Sequence, residues 1–297
     1  MKTSDIQIRD PYIYANQQEK MYYMFGTTDK NCWRGPGQGF DCYKSKDLQE
    51  WEGPIPAFRP SDHFWGKENF WAPEVHRFNG QFYMFATFIA EQRYRATQIL
   101  TAPDVFGPYV PLTENPITPD NWQCLDGTLH VDESGDPWLV FCHEWVQIHN
   151  GSVYAMRLSH DLKRAVERPY LLFHASEAPW VKQTGWPEPG GKYHFPTYVT
   201  DGPFLHRLTD GTLLMLWSSI GNKGYAMGVC RSESGHILGP WQQLPDPIWA
   251  EDGGHGMIFQ TFAGQLMLTF HSPNRTPDER AIFVAIEEKN GRIQLQS

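Results

Sequence analysis

Val199-Thr200-Asp201-Gly202-Pro203-Phe204-Leu205 runs from an acid through glycine and proline into an apolar stretch, and the same opening recurs in altered form four more times. Aligned on Asp201, the counterparts are Asp10-Pro11-Tyr12-Ile13, Ala72-Pro73-Glu74-Val75, Asp126-Gly127-Thr128-Leu129 and His255-Gly256-Met257-Ile258. Each opening leads through a short apolar run and a turn to a second run of aromatics and large aliphatics. The turns are Asn16 to Lys20, Asn79-Gly80, Asp132 to Gly135, Asp210-Gly211 and Ala263-Gly264, and Leu213-Leu214-Met215-Leu216-Trp217 typifies the second runs. Two apolar runs around a turn read as a β-hairpin. Five of them in one chain read as a repeat.

A further pair of strands follows each hairpin, in Gly39 to Trp51, Tyr94 to Tyr109, Val153 to Leu172, Tyr225 to Leu244 and Ile282 to Gln294. The turn signatures Ser45-Lys46-Asp47-Leu48, Ala102-Pro103-Asp104-Val105 and Ser159-His160-Asp161-Leu162 mark three of these pairs. The unit is therefore four strands. Five units predict an all-β fold, a five-bladed β-propeller with four antiparallel strands per blade, whereas a sandwich would use about seven to nine strands in all. A lone hairpin cannot bury its own face, so residues 1–297 are expected to form one domain. The 26 glycines and 23 prolines suit short strands punctuated by turns, and no stretch sustains helical periodicity.

A net charge of −9 disfavours a nucleic-acid backbone or an anionic membrane as the main partner and leaves a neutral ligand in play. Cys32, Cys42, Cys124, Cys142 and Cys230 are odd in number and contain no C-x-x-C pair, which suggests neither a disulfide framework nor a zinc site. Met1 to Ile6 lacks an apolar leader and no later segment approaches a membrane span, so the expectation is a soluble, cytoplasmic protein. Oligomeric state is left open.

Propeller geometry brings the blade openings to one rim. Asp10, Asp126 and Asp201 would meet around the axis, with His255 opening the fifth blade and Ala72 leaving a gap at the second. The same rim collects the ends of the second strands, at Thr28-Asp29, His143-Glu144-Trp145 and His271. Eight of the twelve tryptophans (Trp33, Trp65, Trp71, Trp122, Trp145, Trp180, Trp186, Trp249) fall at or near these segments, which favours a ligand mouth. The long segment Phe173 to Thr200 is expected to wall or cover it. Converging carboxylates ringed by aromatics are what glycoside hydrolysis needs: one acid protonates the leaving oxygen, another carboxylate activates water, and flat rings bind the C–H faces of a sugar. For Asp126 or Asp201 taken alone, an Asp-Gly turn is the plainer reading; the repeat-equivalent placement with Asp10 carries the catalytic one. Glu74, one pleat deeper, is read as a structural hydrogen-bonding group.

In the order Arg9-Asp10-Pro11, Trp71-Ala72-Pro73-Glu74, Leu125-Asp126-Gly127, Asp201-Gly202-Pro203 and Gly254-His255-Gly256, the chain resembles glycoside hydrolase family 43 essentially end to end. That family is a five-bladed propeller group acting mainly on arabinose- and xylose-containing plant polysaccharides, and some members act on galactosides. The resemblance implies an inverting mechanism with Asp10 as general base, Asp126 tuning and orienting the acid, and Asp201 as general acid. Most of the family carries glutamate at this last position, so either the sugar sits closer to this blade or Glu144 is the proton donor. Trp71, Trp145, His143, His271 and Arg280 are candidates for sugar contacts. His255 either contacts the sugar or, by resemblance, helps hold a structural calcium ion in the axial channel, with a buried, hydrogen-bonded histidine as the plain alternative. No cofactor is expected for catalysis. The leading expectation is an exo-acting α-L-arabinofuranosidase on oligo- or polysaccharides. Alternatives are a β-xylosidase, a β-galactosidase or galactofuranosidase, an endo-arabinanase, or a carbohydrate-binding propeller with a decayed site.

Overall fold

The structure, a computed structural model, describes residues 1–185 and 196–296. Five four-stranded antiparallel sheets follow one another along the chain, each built from one contiguous segment in the order inner to outer. The expected five-bladed β-propeller is thus the observed fold. The inner strands are Arg9–Asn16, Glu68–Phe78, Cys124–Val131, Asp201–Arg207 and Gly254–Gln260; the second strands are Met21–Thr27, Gln81–Ala90, Pro137–His143, Leu213–Gly221 and Leu266–Ser272. A two-stranded ribbon, Thr184–Gly185 with Pro196–Thr197, lies between blades three and four.

The second strands read as unbroken apolar runs because both of their faces are buried. Successive side chains point to opposite faces of a sheet. Leu213, Met215 and Trp217 therefore pack towards blade three with Trp138, Val140 and Phe173, while Leu214 and Leu216 pack towards blade five with Ile258, Leu268 and Phe270. One hydrophobic cluster fills each of the five junctions between blades. Ring closure uses the same device. Tyr12, Ile13 and Met24 of the first blade pack with Met257 and Phe259 of the last.

All five inner strands carry the same β-bulge near their start. The ladder pairs Arg9 with Thr27, Trp71 with Thr87, Leu125 with Cys142, Asp201 with Ser218 and Gly254 with His271, and each inner strand then advances three residues while its partner advances two. The residue after each of these paired positions takes a left-handed backbone: Asp10 at φ 53°, Ala72 at 47°, Asp126 at 54°, Gly202 at 53° and His255 at 54°. Asp201 therefore sits one residue before the position of Asp10 and Asp126, not level with them as the motif alignment expected. Its structural equivalents are Arg9, Trp71, Leu125 and Gly254.

A bulge leaves an amide outside its own ladder, and a buried amide needs a partner. Here the partner comes from the preceding blade. Ala72 N–H donates to Thr27 Oγ1 at 2.9 Å, Asp126 N–H to Thr87 Oγ1 at 2.9 Å, His255 N–H to Ser218 Oγ at 2.8 Å and Asp10 N–H to His271 Nδ1 at 3.1 Å. These bonds clamp the blades at the rim. Thr87→Val keeps the shape of the side chain while removing the acceptor, and urea unfolding should show a loss of about 1–3 kcal/mol. A loss of only a few tenths would mean that the Asp126 amide has another partner.

Candidate active site

The three aspartates line one cavity of about 450 Å³, together with Glu144, His255, Tyr225, Arg9 and Asn274. Trp33, Trp71 and Trp145 form its aromatic wall, and Thr184, Val199 and Ile220 close the side towards blade four. A larger cleft of about 1,080 Å³ lies between blades two and three, but its acids do not converge: Glu91 and Asp120 are exposed and Glu167 is paired with Arg157.

Each carboxylate has its own partners. Asp10 Oδ2 accepts from the Thr27 hydroxyl at 2.7 Å, and Asp10 Oδ1 lies 3.2 Å from His255 Nδ1. Burial works against its ionisation, but His255, Arg9 and the Thr27 hydroxyl outweigh burial and hold the Asp10 carboxyl below its ordinary range. Asp126 Oδ2 accepts from Gly202 N–H at 2.9 Å and lies 3.6 Å from His255 Nδ1. Burial, then the charge on Asp10, push its carboxyl well up, against the pull of the Gly202 amide. Asp201 Oδ2 accepts from the Tyr225 hydroxyl at 3.1 Å. Burial, then the neighbouring Asp126, raise it to about 7. Asp10 is thus tuned to stay ionised, while Asp126 and Asp201, crowded together, are both tuned to hold protons towards neutrality. Such a divergence supplies a base and an acid from one side-chain type.

Glu144 also reaches the cavity, immediately before the short helix Trp145–Ile148, but it is ion-paired with Arg95. Burial raises its carboxyl, and the Arg95 guanidinium opposes the rise. Among the expected sugar contacts, Trp71 and Trp145 do line the cavity. His143, His271 and Arg280 do not, and these three are corrected. His143 is buried, stacked on Trp122 at 4.3 Å with Nε2 2.8 Å from Gln147 Oε1. His271 is fully buried behind Asp10. It accepts the Asp10 amide on Nδ1, which requires the neutral Nε2–H tautomer, and that N–H is left to donate to Asn274 Oδ1 at 3.1 Å. Burial, reinforced by Arg9, takes its pKa down to about 3. Arg280 donates to the carbonyl oxygens of Ser4, Pro277 and Glu279, tying the chain start to the fifth blade.

His255 faces the cavity, but its Nδ1 is directed at the carboxylates of Asp10 and Asp126. Among the described residues no group of three or more His, Cys, Asp or Glu side chains is arranged to hold a metal ion. The donor set at His255 is that of a hydrogen-bonded network. Glu74 has the expected structural role, accepting from the Thr128 hydroxyl and lying 3.1 Å from His76 Nε2. Of the eight rim tryptophans, Trp33, Trp71 and Trp145 reach the cavity; Trp180 packs instead on Trp217 at 5.0 Å, in contact with Gly228, and Trp186 lies outside the described residues. The expected wall from Phe173 to Thr200 contributes Thr184 and Val199, while residues 186–195 lie outside the described residues. Motif reading missed Arg9, Tyr225 and Asn274. Arg9 precedes the first aspartate and could have been suspected from that; Tyr225 and Asn274 carry no local signal.

The description of glycosyl hydrolases family 43 matches residues 4–285. The chain belongs to this family. It is therefore a glycoside hydrolase, and the alternative of a decayed carbohydrate-binding propeller falls away. A solved structure described as an endo-arabinase from Bacteroides thetaiotaomicron VPI-5482 is 41% identical, with a TM-score of 0.89 over 98% of each chain. A structure described as an endo-1,4-β-xylanase from the same organism is 23% identical, with a TM-score of 0.77 over 100% of this chain and 96% of the other, and shares the fold. The extracellular exo-α-(1→5)-L-arabinofuranosidase of Cellvibrio japonicus (strain Ueda107) is 23% identical over 178 residues, 54% of this chain and 46% of that relative. The match thus spans about half the length of the curated relative. That this relative is extracellular overturns the cytoplasmic expectation, which rested on the first residues of the chain and on the lack of a membrane-spanning segment.

Asp201 couples the site to stability. Its carboxyl rises from an ordinary value of 3.8 to about 7 on folding, so the native state is favoured below the lower value and loses that advantage as pH rises through the higher one. Asp201→Asn has no charge to bury. Thermal melts should show the variant more stable than the parent at pH 8, with the gap closing towards pH 4. A gap that does not change with pH would place the raised carboxyl elsewhere.

Proposed function

We propose that the chain is an inverting, exo-acting α-L-arabinofuranosidase on arabinose-containing oligo- or polysaccharides. The observation that carries this reading is that Asp10 and Asp201 line one walled cavity of about 450 Å³, in surroundings that lower the carboxyl of the first and raise that of the second. Asp10 takes the proton of the attacking water, held by Thr27 and faced by His255. Asp201 protonates the leaving oxygen, and Asp126, anchored on the Gly202 amide, crowds it, so that the two carboxyls titrate as a pair and give up their protons only as pH rises. Glu144 is the weaker candidate acid, because its carboxylate is already engaged by the Arg95 guanidinium and would have to leave that ion pair to protonate a sugar oxygen. Arabinose is the sugar named for two of the relatives, and the extracellular setting of one of them supports secretion. Fractionation of source cells that found the activity only in the cytoplasm would reject secretion.

A second reading, endo-arabinanase, is favoured by the endo-arabinase description of the relative that is 41% identical. Products from linear arabinan separate the two. Arabinose alone from the first time points supports exo action, and a ladder of oligosaccharides supports endo action.

The catalytic assignment is tested with a panel of aryl furanosides and pyranosides alongside an unactivated arabino-oligosaccharide. Asp10→Asn should lower kcat by about 10²–10⁴-fold on both kinds of substrate, and Asp201→Asn by as much on the oligosaccharide but far less with a good aryl leaving group. Glu144→Gln should cost less than Asp201→Asn on the oligosaccharide, and the reverse order would move the acid to Glu144. Protonated Asp201 is the active form, so kcat/KM should fall as pH rises through about 7. NMR of the first sugar released from an α-linked substrate should show the β-anomer; an α-anomer would reject inversion.

A further inference from the structure

The amide clamp at the rim is built five times, and one junction differs. At four junctions the side chain opposite the residue before the preceding blade's bulge accepts the next bulge amide: Thr27, Thr87, Ser218 and His271. The fifth equivalent is Cys142, opposite Leu125 in the third blade and fully buried. A thiol sulfur is a weak acceptor. The Gly202 amide instead donates directly to Asp126 Oδ2 at 2.9 Å.

Blade one shows what a hydroxyl does at this place. Thr27 Oγ1 accepts from Ala72 N–H at 2.9 Å and passes its own hydrogen to Asp10 Oδ2 at 2.7 Å, so an oxygen stands between the next blade's amide and the first blade's carboxylate. Asp126 occupies the same bulge position as Asp10, with Cys142 where Thr27 stands. We infer that Cys142 is a positioning residue for the glycosidase reaction: by withholding a hydroxyl relay, it lets Asp126 close directly onto the Gly202 amide, next to Asp201. The inference rests on the reading of Asp201 as the proton donor and Asp126 as the carboxyl coupled to it.

Two carboxylates in equivalent positions thereby receive different surroundings from a threonine and a cysteine. Asp10 is relayed and stays on its own blade. Asp126 is drawn across the junction to the residue next to Asp201, so that the two carboxyls titrate as a coupled pair. The other groups facing Asp201 are His255 from the fifth blade, Tyr225 from the fourth and Glu144 from the end of the third blade's second strand.

C142S and C142T test this, with C142A as the comparison. Serine and threonine already occupy the equivalent positions 218, 27 and 87, where their oxygens lie 2.8 to 2.9 Å from the amide, so the backbone accepts both. In C142S and C142T the introduced hydroxyl should take the Gly202 amide and push Asp126 back from Asp201. Weaker coupling between the two carboxyls lets the pair release a proton sooner, so the basic limb of kcat should move to lower pH, on the order of half a unit. At pH 7 kcat should fall several-fold with little change in KM. C142A offers no acceptor and should keep the parental limb, whatever its thermal stability.

An unmoved limb in both hydroxyl variants overturns the inference, and so does a limb that moves equally in C142A, since that would be a packing effect. Asp201→Asn distinguishes failure of the underlying reading. If its residual activity on the oligosaccharide keeps a basic limb near pH 7, the limb belongs to another group, and the assignment of Asp201 falls together with the inference built on it.

Discussion

A backbone amide displaced from its ladder, in a place too dry for water to satisfy it, is the constraint on which the rest of this molecule depends. The bulge that opens each inner strand frees that amide, and the neighbouring blade has to accept it. The requirement places Thr, Thr, Ser and His at the ends of four ladders that are otherwise apolar. It also sets the active-site rim. The left-handed residue of each bulge turns the chain towards the axis, and three of the five such residues are Asp10, Asp126 and His255. Fold closure and catalytic geometry therefore use the same hydrogen bonds, and a change made for one will be felt by the other.

The architecture was legible because hairpin spacing and apolar runs report on burial, which is a local property of a strand. Register within the hairpin was not. Leu125-Asp126-Gly127 and Thr200-Asp201-Gly202 read alike, yet the left-handed position falls on the aspartate in one and on the glycine in the other. Glycine takes a positive φ at no steric cost, whereas a side chain there needs compensating contacts. At Gly202 even a Cβ would meet the His255 ring at 2.7 Å, so the acid of the fourth blade has to stand one residue earlier. The sequence shows the pair of residues; only the packing of His255 says which one carries the bulge.

The misplaced sugar contacts have a similar cause. Strand ends at a rim can be located from sequence, but the direction of the last side chain depends on pleat phase. His271 falls opposite Gly254, in the phase that faces the next blade's amide, and so it serves Asp10 from behind. His143 falls beyond the ladder position of Cys142 and stacks on Trp122 instead. Tyr225 opens near the start of the third strand of its blade, in a stretch with no motif, and still supplies the donor to Asp201. Its contribution comes from tertiary packing, where the ring stacks on His271 at 5.6 Å, and single-sequence patterns do not encode that proximity.

The aromatic wall explains why Glu144 is a poor rival for the proton-donor role. Arg9 lies over Trp33 at 4.7 Å and Arg95 over Trp71 at 4.4 Å, and the two indoles meet edge to face at 5.4 Å. A cation against an indole face contributes about 0.5–2 kcal/mol, more as water is excluded, and only if the cation is itself held in place. Arg9 is held by Asn274 and Glu279, and Arg95 by Asn69 and Glu144. Removing the charge from Glu144 would release Arg95 from behind Trp71 and loosen the surface on which a sugar ring would lie. The carboxylate is thus committed to keeping the wall rigid, and protonating it to serve as an acid would undo the surface that positions the substrate. Asp201 carries no such second duty, since its only described hydrogen-bond donor is a tyrosine hydroxyl that remains in place whether the carboxyl holds its proton or has given it up.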